Sequence, residues 1–535
     1  MSIFSIGLSG LSTAQQALYT TSNNITNVYT PGYNREIVMM TESNGNGVRV
    51  TDVQRQFNQF VATRLNAASG TLSSLQAYQN ELGQIDNLLS DEAAGLAPMM
   101  QKFFSSMSQM ASSPSDPASR EGVMGAARTM VAQFRSLDQY AEDIGRSVNQ
   151  QLEAEVELVN TYTQQIADLN REIVLARGFD GKTPNNLANQ RDQLVHELSQ
   201  RIDIRVNENS SGAYSVSLSS GLPLVSGENT YQLTARPGAN DPTQVMVGYT
   251  DPAGNFSELQ ERNFQRGTLG GLMEFRRDSL DKLQNQLGQL AYSFATAMNE
   301  QHTQGLDLNQ QPGAEMFSIG SPQVFMNANN TSTVTAAATI TDSDALLATG
   351  FNVRTNDDGS FTVTRADNGR EVAAAFDVGT NTLSFAGVEM TLSGTPNTND
   401  AFRVEPVKGL ASTFSFELND GAEIAAAQST GSGDNRNALA MLELQNQKTI
   451  GGTATFNQAY AGMVSTVGNK MSVVKANLAA QEGLTSQLEA LQQSESGVNL
   501  DEEAANLVRF QQYYQANAKV IETGTTLLDT ILSLR

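Results

Sequence analysis

Cysteine and tryptophan are both missing from the 535-residue chain, and histidine occurs only at His196 and His302. The first absence removes disulfides, thiol nucleophiles and thiolate metal sites. The scarcity of imidazole leaves little for acid–base work or metal ligation. Aromatic residues make up 7% of the chain, so the interior has to be built from Leu, Ile, Val, Ala and Met. Basic residues are also short: 33 Lys and Arg stand against 56 Asp and Glu, a formal net charge of −23. Such a balance repels phosphate backbones and anionic lipid surfaces, so no nucleic-acid partner is expected. No run approaches the ~20 apolar residues that a membrane-spanning helix needs, so no membrane insertion is expected either. The first charge is Arg35. With neither a basic start nor a compact apolar run, the N-terminus offers no cleavable secretory signal, and any exit from the cell takes another route.

Catalytic signatures are equally scarce. Gly-x-Ser-x-Gly, the Gly-x-x-x-x-Gly-Lys-Ser/Thr phosphate loop, His-Glu-x-x-His and Cys-x-x-Cys do not occur. Gly178-Phe179-Asp180-Gly181-Lys182 is too short to wrap a phosphate, and Asn356-Asp357-Asp358-Gly359 puts Arg354 where the first calcium ligand belongs, so it reads as a hairpin turn. His196 and His302 both read as helix-surface histidines. Carboxylates are plentiful, but none are paired by sequence as an acid and a base. The chain therefore reads as a non-enzyme, with no catalytic or metal residues and no cofactor.

What the chain does have is apolar periodicity at its two ends. Phe4, Leu11, Leu18 and Ile25 recur every seven residues with Leu8 beside them, and Leu500, Leu507, Tyr514, Ile521 and Leu528 do the same, flanked by Phe510 and Leu532. Both patterns predict amphipathic, coiled-coil-like helices. Helical spacing also marks residues 60–90, 124–176, 280–298 and 456–478. Residues 202–265 and 325–420 instead alternate and carry turn signals such as Asp357-Asp358-Gly359 and Asp367-Asn368-Gly369. The expected fold is multidomain α+β, an elongated helical bundle built from discontinuous N- and C-terminal segments. Residues 1–34 and 500–535 form the terminal helices. Residues 35–201, 266–324 and 421–499 form a mainly helical domain. The β-rich segment 202–265 and the β-rich inserted domain 325–420 project from it. The first and last helices should lie together.

The most specific segment is Ser22-Asn23-Asn24-Ile25-Thr26-Asn27-Val28-Tyr29-Thr30-Pro31-Gly32-Tyr33-Asn34-Arg35. Asn-rich sequence ends the first helix. Thr30-Pro31-Gly32-Tyr33 fits a type II turn, with Pro setting the second position and Gly supplying positive φ at the third.

This segment resembles the Asn-Asn-Ile-Ala-Asn…Thr-Pro-Gly-Tyr signature near the start of bacterial flagellar axial proteins, in the Pro-Gly-Tyr form of the hook-associated FlgK family. Gly497 to Gln512 and Tyr514 to Ala518 are similar to that family's C-terminal ending, and Ser393-Gly394-Thr395-Pro396 with Asp400 and Phe402 resembles one of its β modules. Thr26 and Tyr29 depart from the usual residues. The resemblance implies a structural subunit at the junction of hook and filament, outside the cell, exported by the flagellar type III route without a cleaved signal. The terminal helices would line the inner axial tube. It further implies self-association in a ring, contacts with the hook protein and the second junction protein FlgL, and an export chaperone, FlgN, on the C-terminal helix. Competing readings are a hook or distal-rod subunit, or an axial protein whose β insertion is adhesive or hydrolytic. Pro31-Gly32-Tyr33 and the long α-rich middle argue against the former, and the short inserts argue against the latter.

Two further expectations come from the residues themselves. Ordering a residue's backbone costs about 1 to 2 kcal/mol, and burying a large apolar side chain returns roughly 1.5 to 3 kcal/mol. Terminal helices paired only with each other should thus be marginal, disordered in the monomer and helical once neighbouring subunits cover them. Asn499 is placed to cap the last helix, whose dipole favours Asp501, Glu502 and Glu503.

Overall fold

A computed structural model describes residues 3–43, 47–89, 95–251, 254–431 and 433–533. Residues 1, 2, 534 and 535 of the expected terminal segments lie outside the described residues. In chain order the helices are α1 (Ile3–Thr26), α2 (Gln59–Leu89), α3 (Leu96–Ser112), α4 (Pro117–Asp180), α5 (Asn185–Arg201), α6 (Gly267–Phe275), α7 (Asp281–His302), the short α8 (Leu410–Thr413), α9 (Arg436–Glu443), α10 (Phe456–Ser496) and α11 (Leu500–Ser533). The mixed helical and sheet class matches the sequence reading. An antiparallel hairpin, β1 (Glu36–Glu42) with β2 (Val48–Arg55), follows α1. It falls within residues 35–201, the expected mainly helical domain, ahead of the helical spacing that begins near residue 60.

The body is organised by α4, whose 64 residues give a rod about 96 Å long. Asp116 caps its start, accepting a hydrogen bond from the Ser119 amide at 3.0 Å, and Pro117 occupies the first turn, where its missing N–H costs nothing. Gly181 ends it in the left-handed region at φ +68°. One face carries Val123, Met130, Phe134, Leu137, Ile144, Val148, Leu152, Val159 and Ile166, all buried. Beside α4, Phe103, Phe104, Phe294, Phe317, Phe414 and Phe456 pack edge to face or tilted in the centre of the core. Where α6 crosses α2, Gly271 lets the backbones touch: a Cβ there would lie 2.2 Å from the Ser74 carbonyl oxygen.

The two β regions differ in kind. Residues 323–405 form five- and four-stranded antiparallel sheets with a core of their own, including Phe351, Val353, Val363, Phe385, Met390 and Phe402. The expected hairpin turn at Asp357-Asp358-Gly359 is present, with Gly359 at φ +79° and the Asn356 amide donating to the Ser360 carbonyl. The first β region does not project from the body as expected. Its side chains Tyr214, Val216, Leu218, Leu224, Leu233 and Val247 belong to the main core, and α4 itself acts as a strand partner. Asn149, Asn160 and Asn170 each donate and accept with one backbone segment: Thr243 O and Val245 N (2.9 and 3.0 Å), Leu233 O and N (2.8 and 2.9 Å), and Tyr214 O and N (both 2.8 Å). A side-chain amide reproduces the donor–acceptor pair of a peptide, so three asparagines on one helix hold down three strand edges.

Neither histidine fits the helix-surface reading well. His196 is half-buried between α5 and α2, with Nδ1 2.9 Å from Asn66 Oδ1. His302 is fully buried. Its Nε2 accepts from the Ala425 amide at 2.8 Å, which leaves the ring proton on Nδ1 to donate to the Ala314 carbonyl at 2.7 Å. Burial is the main cause that holds this imidazole below its usual pKa, keeping it neutral. A base depressed in the folded state takes up its proton more readily when unfolded, so stability present at neutral pH is lost as pH falls below about 6.5, by at most about 1.4 kcal/mol per pH unit. Thermal melts at pH 7.5 and 5.0 should show the wild type losing more stability on acidification than His302→Gln. Equal losses would refute a neutral buried imidazole.

Candidate assembly interface

The terminal helices do lie together, antiparallel, and of the large apolar stripe Phe4 and Ile521 reach the seam, where they meet glycines. On α1 the buried face is mostly small, Gly7, Gly10, Thr13, Ala14, Ala17, Thr20 and Thr21 with Asn24, and larger side chains pack onto its glycines. A Cβ on Gly10 would sit 2.1 Å from the Asn517 side chain, one on Gly7 2.7 Å from Ile521, and one on Gly524 2.7 Å from Ile3. Close approach of backbones is what this composition permits, and a face of Gly, Ala and Thr buries little area.

The other stripe residues are left on the flanks. Phe4, Leu11, Leu18, Ile25, Leu507, Phe510 and Ile521 are half-exposed, while Leu8, Leu500, Tyr514, Leu528 and Leu532 are exposed; Leu8 and Leu532 reach 64% and 63%. Ile3, Ile6, Tyr19, Val508, Tyr513, Leu527 and Ile531 are exposed beside them. So many exposed large apolar side chains on two paired helices mark an interaction face. It belongs to the two helices that contribute least to the main core.

The signature segment is the joint between this pair and the body. The expected type II turn is there: the Tyr33 amide donates to the Thr30 carbonyl at 3.2 Å, and Gly32 has φ +75°. Thr30 and Pro31 are exposed at its tip, with Thr30 Oγ1 donating to Asn27 Oδ1 at 3.0 Å. Asn27 and Asn23 close the end of α1, Asn27 Nδ2 donating to the Asn23 carbonyl at 2.9 Å. Asn24 is fully buried and uses all of its capacity. Its Oδ1 accepts from the Glu36 amide (2.9 Å) and the Tyr33 hydroxyl (2.8 Å), and its Nδ2 donates to the Glu36 carbonyl (2.9 Å) and Glu503 Oε2 (3.2 Å). Asp would lack the donors and Gln would not fit the reach. Burial first, then the Glu36 and Glu503 carboxylates, push the Tyr33 phenol well above its ordinary pKa, so it stays a donor. The departures are harmless here: Tyr29 is exposed and Thr26 only bonds back to the Ser22 carbonyl.

Arg35 completes the clamp. Its guanidinium reaches Glu503 Oε1 at 2.7 Å and Glu502 Oε2 at 2.8 Å, and its amide donates to the Ser496 carbonyl at 2.8 Å. The Glu503 side chain is only 2% exposed. Asn499 caps α11 as expected, Oδ1 accepting from the Asp501 amide at 2.9 Å. Glu502 and Glu503 were legible as dipole partners, but the ion pair to the N-terminal segment was not. A groove of about 620 Å³ opens beside the clamp, lined by Thr20, Thr21, Ile37, Arg509, Phe510 and Tyr513.

Comparison with known proteins decides what carries this joint. Residues 82–317 match the helical domain of the flagellar hook-associated protein FlgK, and residues 325–406 the D2-like domain of flagellar hook-associated protein 1. Over its whole length the chain is 40% identical to flagellar hook-associated protein 1 of Escherichia coli strain K12, with both chains fully covered. The chain belongs to the FlgK family. A relative from Bacillus subtilis strain 168 is 22% identical across 98% of this chain and 96% of its own. Among solved structures, the flagellar hook junction protein FlgK from Burkholderia pseudomallei superposes with a TM-score of 0.76 at 29% identity, covering 81% of this chain and all of that one. The ends match more general patterns: residues 4–34 the flagella basal body rod protein and residues 492–534 the C-terminal part of FlgEFG rod proteins. The terminal helices are thus similar to the rod-protein patterns, while most of the α4-centred body falls within the match to the FlgK helical domain.

If the clamp holds the terminal pair to the body, Arg35→Glu places like charges against buried Glu503, and loss of such a pair costs about 3 to 5 kcal/mol. In soft agar the variant should fail to swim, and adding Glu503→Arg should restore part of the motility. A fully motile Arg35→Glu strain would show that the pair is dispensable.

Proposed function

We propose that this chain is a structural, non-enzymatic subunit of the hook–filament junction, built into a ring by its terminal helices. The observation that carries the mechanism is the helix pair that seals itself with Gly, Ala and Thr and leaves most of its large apolar residues open. In a ring, neighbouring copies cover Leu8, Leu500, Leu528 and Leu532, supplying the burial that the pair lacks by itself. The terminal segments are then disordered in the free subunit and ordered on assembly. The ring would contact the hook protein on one side and FlgL on the other. Before export through the flagellar type III system, FlgN would shield the C-terminal helix, whose exposed Leu527, Leu528, Ile531 and Leu532 are an aggregation hazard. A chain without cysteine suits passage in an unfolded state. No helix among the described residues is long and apolar enough to cross a membrane, and family membership supports a place in the flagellum.

Deleting the gene in its own host should leave hooks without filaments and release unpolymerised filament protein into the medium. Missing hooks would move the subunit down to the rod or hook, and normal filaments would refute the junction role. Leu507→Asp and Ile521→Asp should leave the body folded yet abolish incorporation, because a charge on that stripe cannot be buried unpaired. Normal motility of both variants would remove the terminal helices from the mechanism.

A further inference from the structure

The β domain of residues 323–405 leaves the body between α7 and α8, and its seat on the body combines polar contacts with Tyr292 and Ile319 packed against its core. A π-helical turn at Arg276–Leu280 separates α6 from α7. Such a turn shifts the register of every side chain that follows it. Asp281, the first residue of α7, consequently meets two other parts of the molecule at one carboxylate. Lys408, on the segment that returns from the β domain, approaches Oδ1 at 2.8 Å. Gln244, from the first β region, donates to both oxygens at 3.2 and 3.4 Å. Both charged side chains are largely buried, at 23% and 18% exposure.

Around this contact the seat is close-fitting. A Cβ on Gly288 of α7 would lie 1.8 Å from the Val407 carbonyl oxygen, so only glycine admits the returning segment. Gln289 donates to the Leu346 carbonyl at 2.7 Å, and Asn327 and Ala328 bond to Asn240 and Ala239 at 2.6 and 2.9 Å. Just behind, Arg403 pairs with buried Glu405 at 2.6 Å. Crossings between independently folded domains are ordinarily mobile unless the interface is large and apolar. Here a small cavity of about 200 Å³ remains in the seat, beside the largely buried Asp281–Lys408 pair.

We propose that the Asp281–Lys408 pair is a pin that locks the β domain at one angle on the helical body, making it a rigid outer arm. Removing Asp281 takes away the carboxylate that accepts the Lys408 hydrogen bond, leaving Glu405 and Asp241 as its more remote opposite charges, and the seat loosens. The inference is independent of the ring reading, since it concerns the single chain.

The absence of cysteine makes the test direct. Spin labels attached at Glu153→Cys on α4 and Thr380→Cys on the β domain, both exposed positions, report the inter-domain distance by double electron–electron resonance. A second pair, Asn368→Cys with Thr380→Cys, reports whether the β domain itself is folded. The pin predicts a narrow inter-domain distribution in the otherwise native chain and at least a twofold broadening in Asp281→Ala, with the pair within the domain unchanged. Should Asp281→Ala disturb the inner pair, Asp281→Asn, which keeps the volume and the Gln244 contact, decides by the same criterion. A distribution already broad in the native chain, or unchanged in the deciding variant, would overturn the proposal.

Discussion

Much of the molecule depends on one buried carboxylate. Glu503 sits in the first turn of the last helix, yet its partners are Asn24 and Arg35, at the other end of the chain. A carboxylate with 2% exposure is tolerated only if its charge and lone pairs are met. Meeting them brings residue 24, residue 35 and the start of α11 to one point. From there the rest of the joint follows. The Pro-Gly turn reverses the chain so that Tyr33 points back at Asn24, Arg35 emerges facing α11, and the hairpin β1–β2 begins at Glu36, whose backbone is held by the same asparagine. The joint is polar and specific where the terminal pair beyond it is apolar and open.

That contrast gives a physical account of an adaptor. A subunit that completes itself only on joining an assembly needs a body that holds its shape alone and ends that do not. The body has both an aromatic centre and the asparagine ladder of α4, in which Asn149, Asn160 and Asn170 satisfy strand edges that a helix ordinarily cannot reach. The ends have a seam of glycine and alanine, close in geometry and weak in burial. The unspent apolar surface of the flanks is what association can use.

The order and type of most long elements were legible in the sequence because apolar period is a strong signal over tens of residues. The ends, the long α4, α7, α10 and the hairpins of the β domain all followed from it. Which face of α1 would be buried did not. The eye follows Leu and Phe, whereas Gly7, Gly10, Ala14 and Ala17 make the contact, and small residues carry no hydropathy contrast. The docking of the first β region onto α4 was hidden for a related reason. Asparagines on a helix read as solvent-facing, and only the fold reveals that they complete strand edges. His302 was misplaced because its ring is held between the Ala314 carbonyl and the Ala425 amide, the latter 123 residues away in sequence. The signature segment was recognisable as a turn, but the roles of Asn24 and Arg35 required Glu503, 479 residues from Asn24, to be seen beside them.

The central claim is that the terminal helices obtain their order from neighbouring subunits. Amide hydrogen exchange, followed by mass spectrometry on the free subunit and on isolated hook–filament junctions, tests it most directly. Residues 3–20 and 507–533, which lie beyond the Asn24–Glu503 clamp, should exchange rapidly in the free chain and be strongly protected in the junction, while α4 is protected in both. Strong protection of both terminal segments in the free subunit would contradict the account.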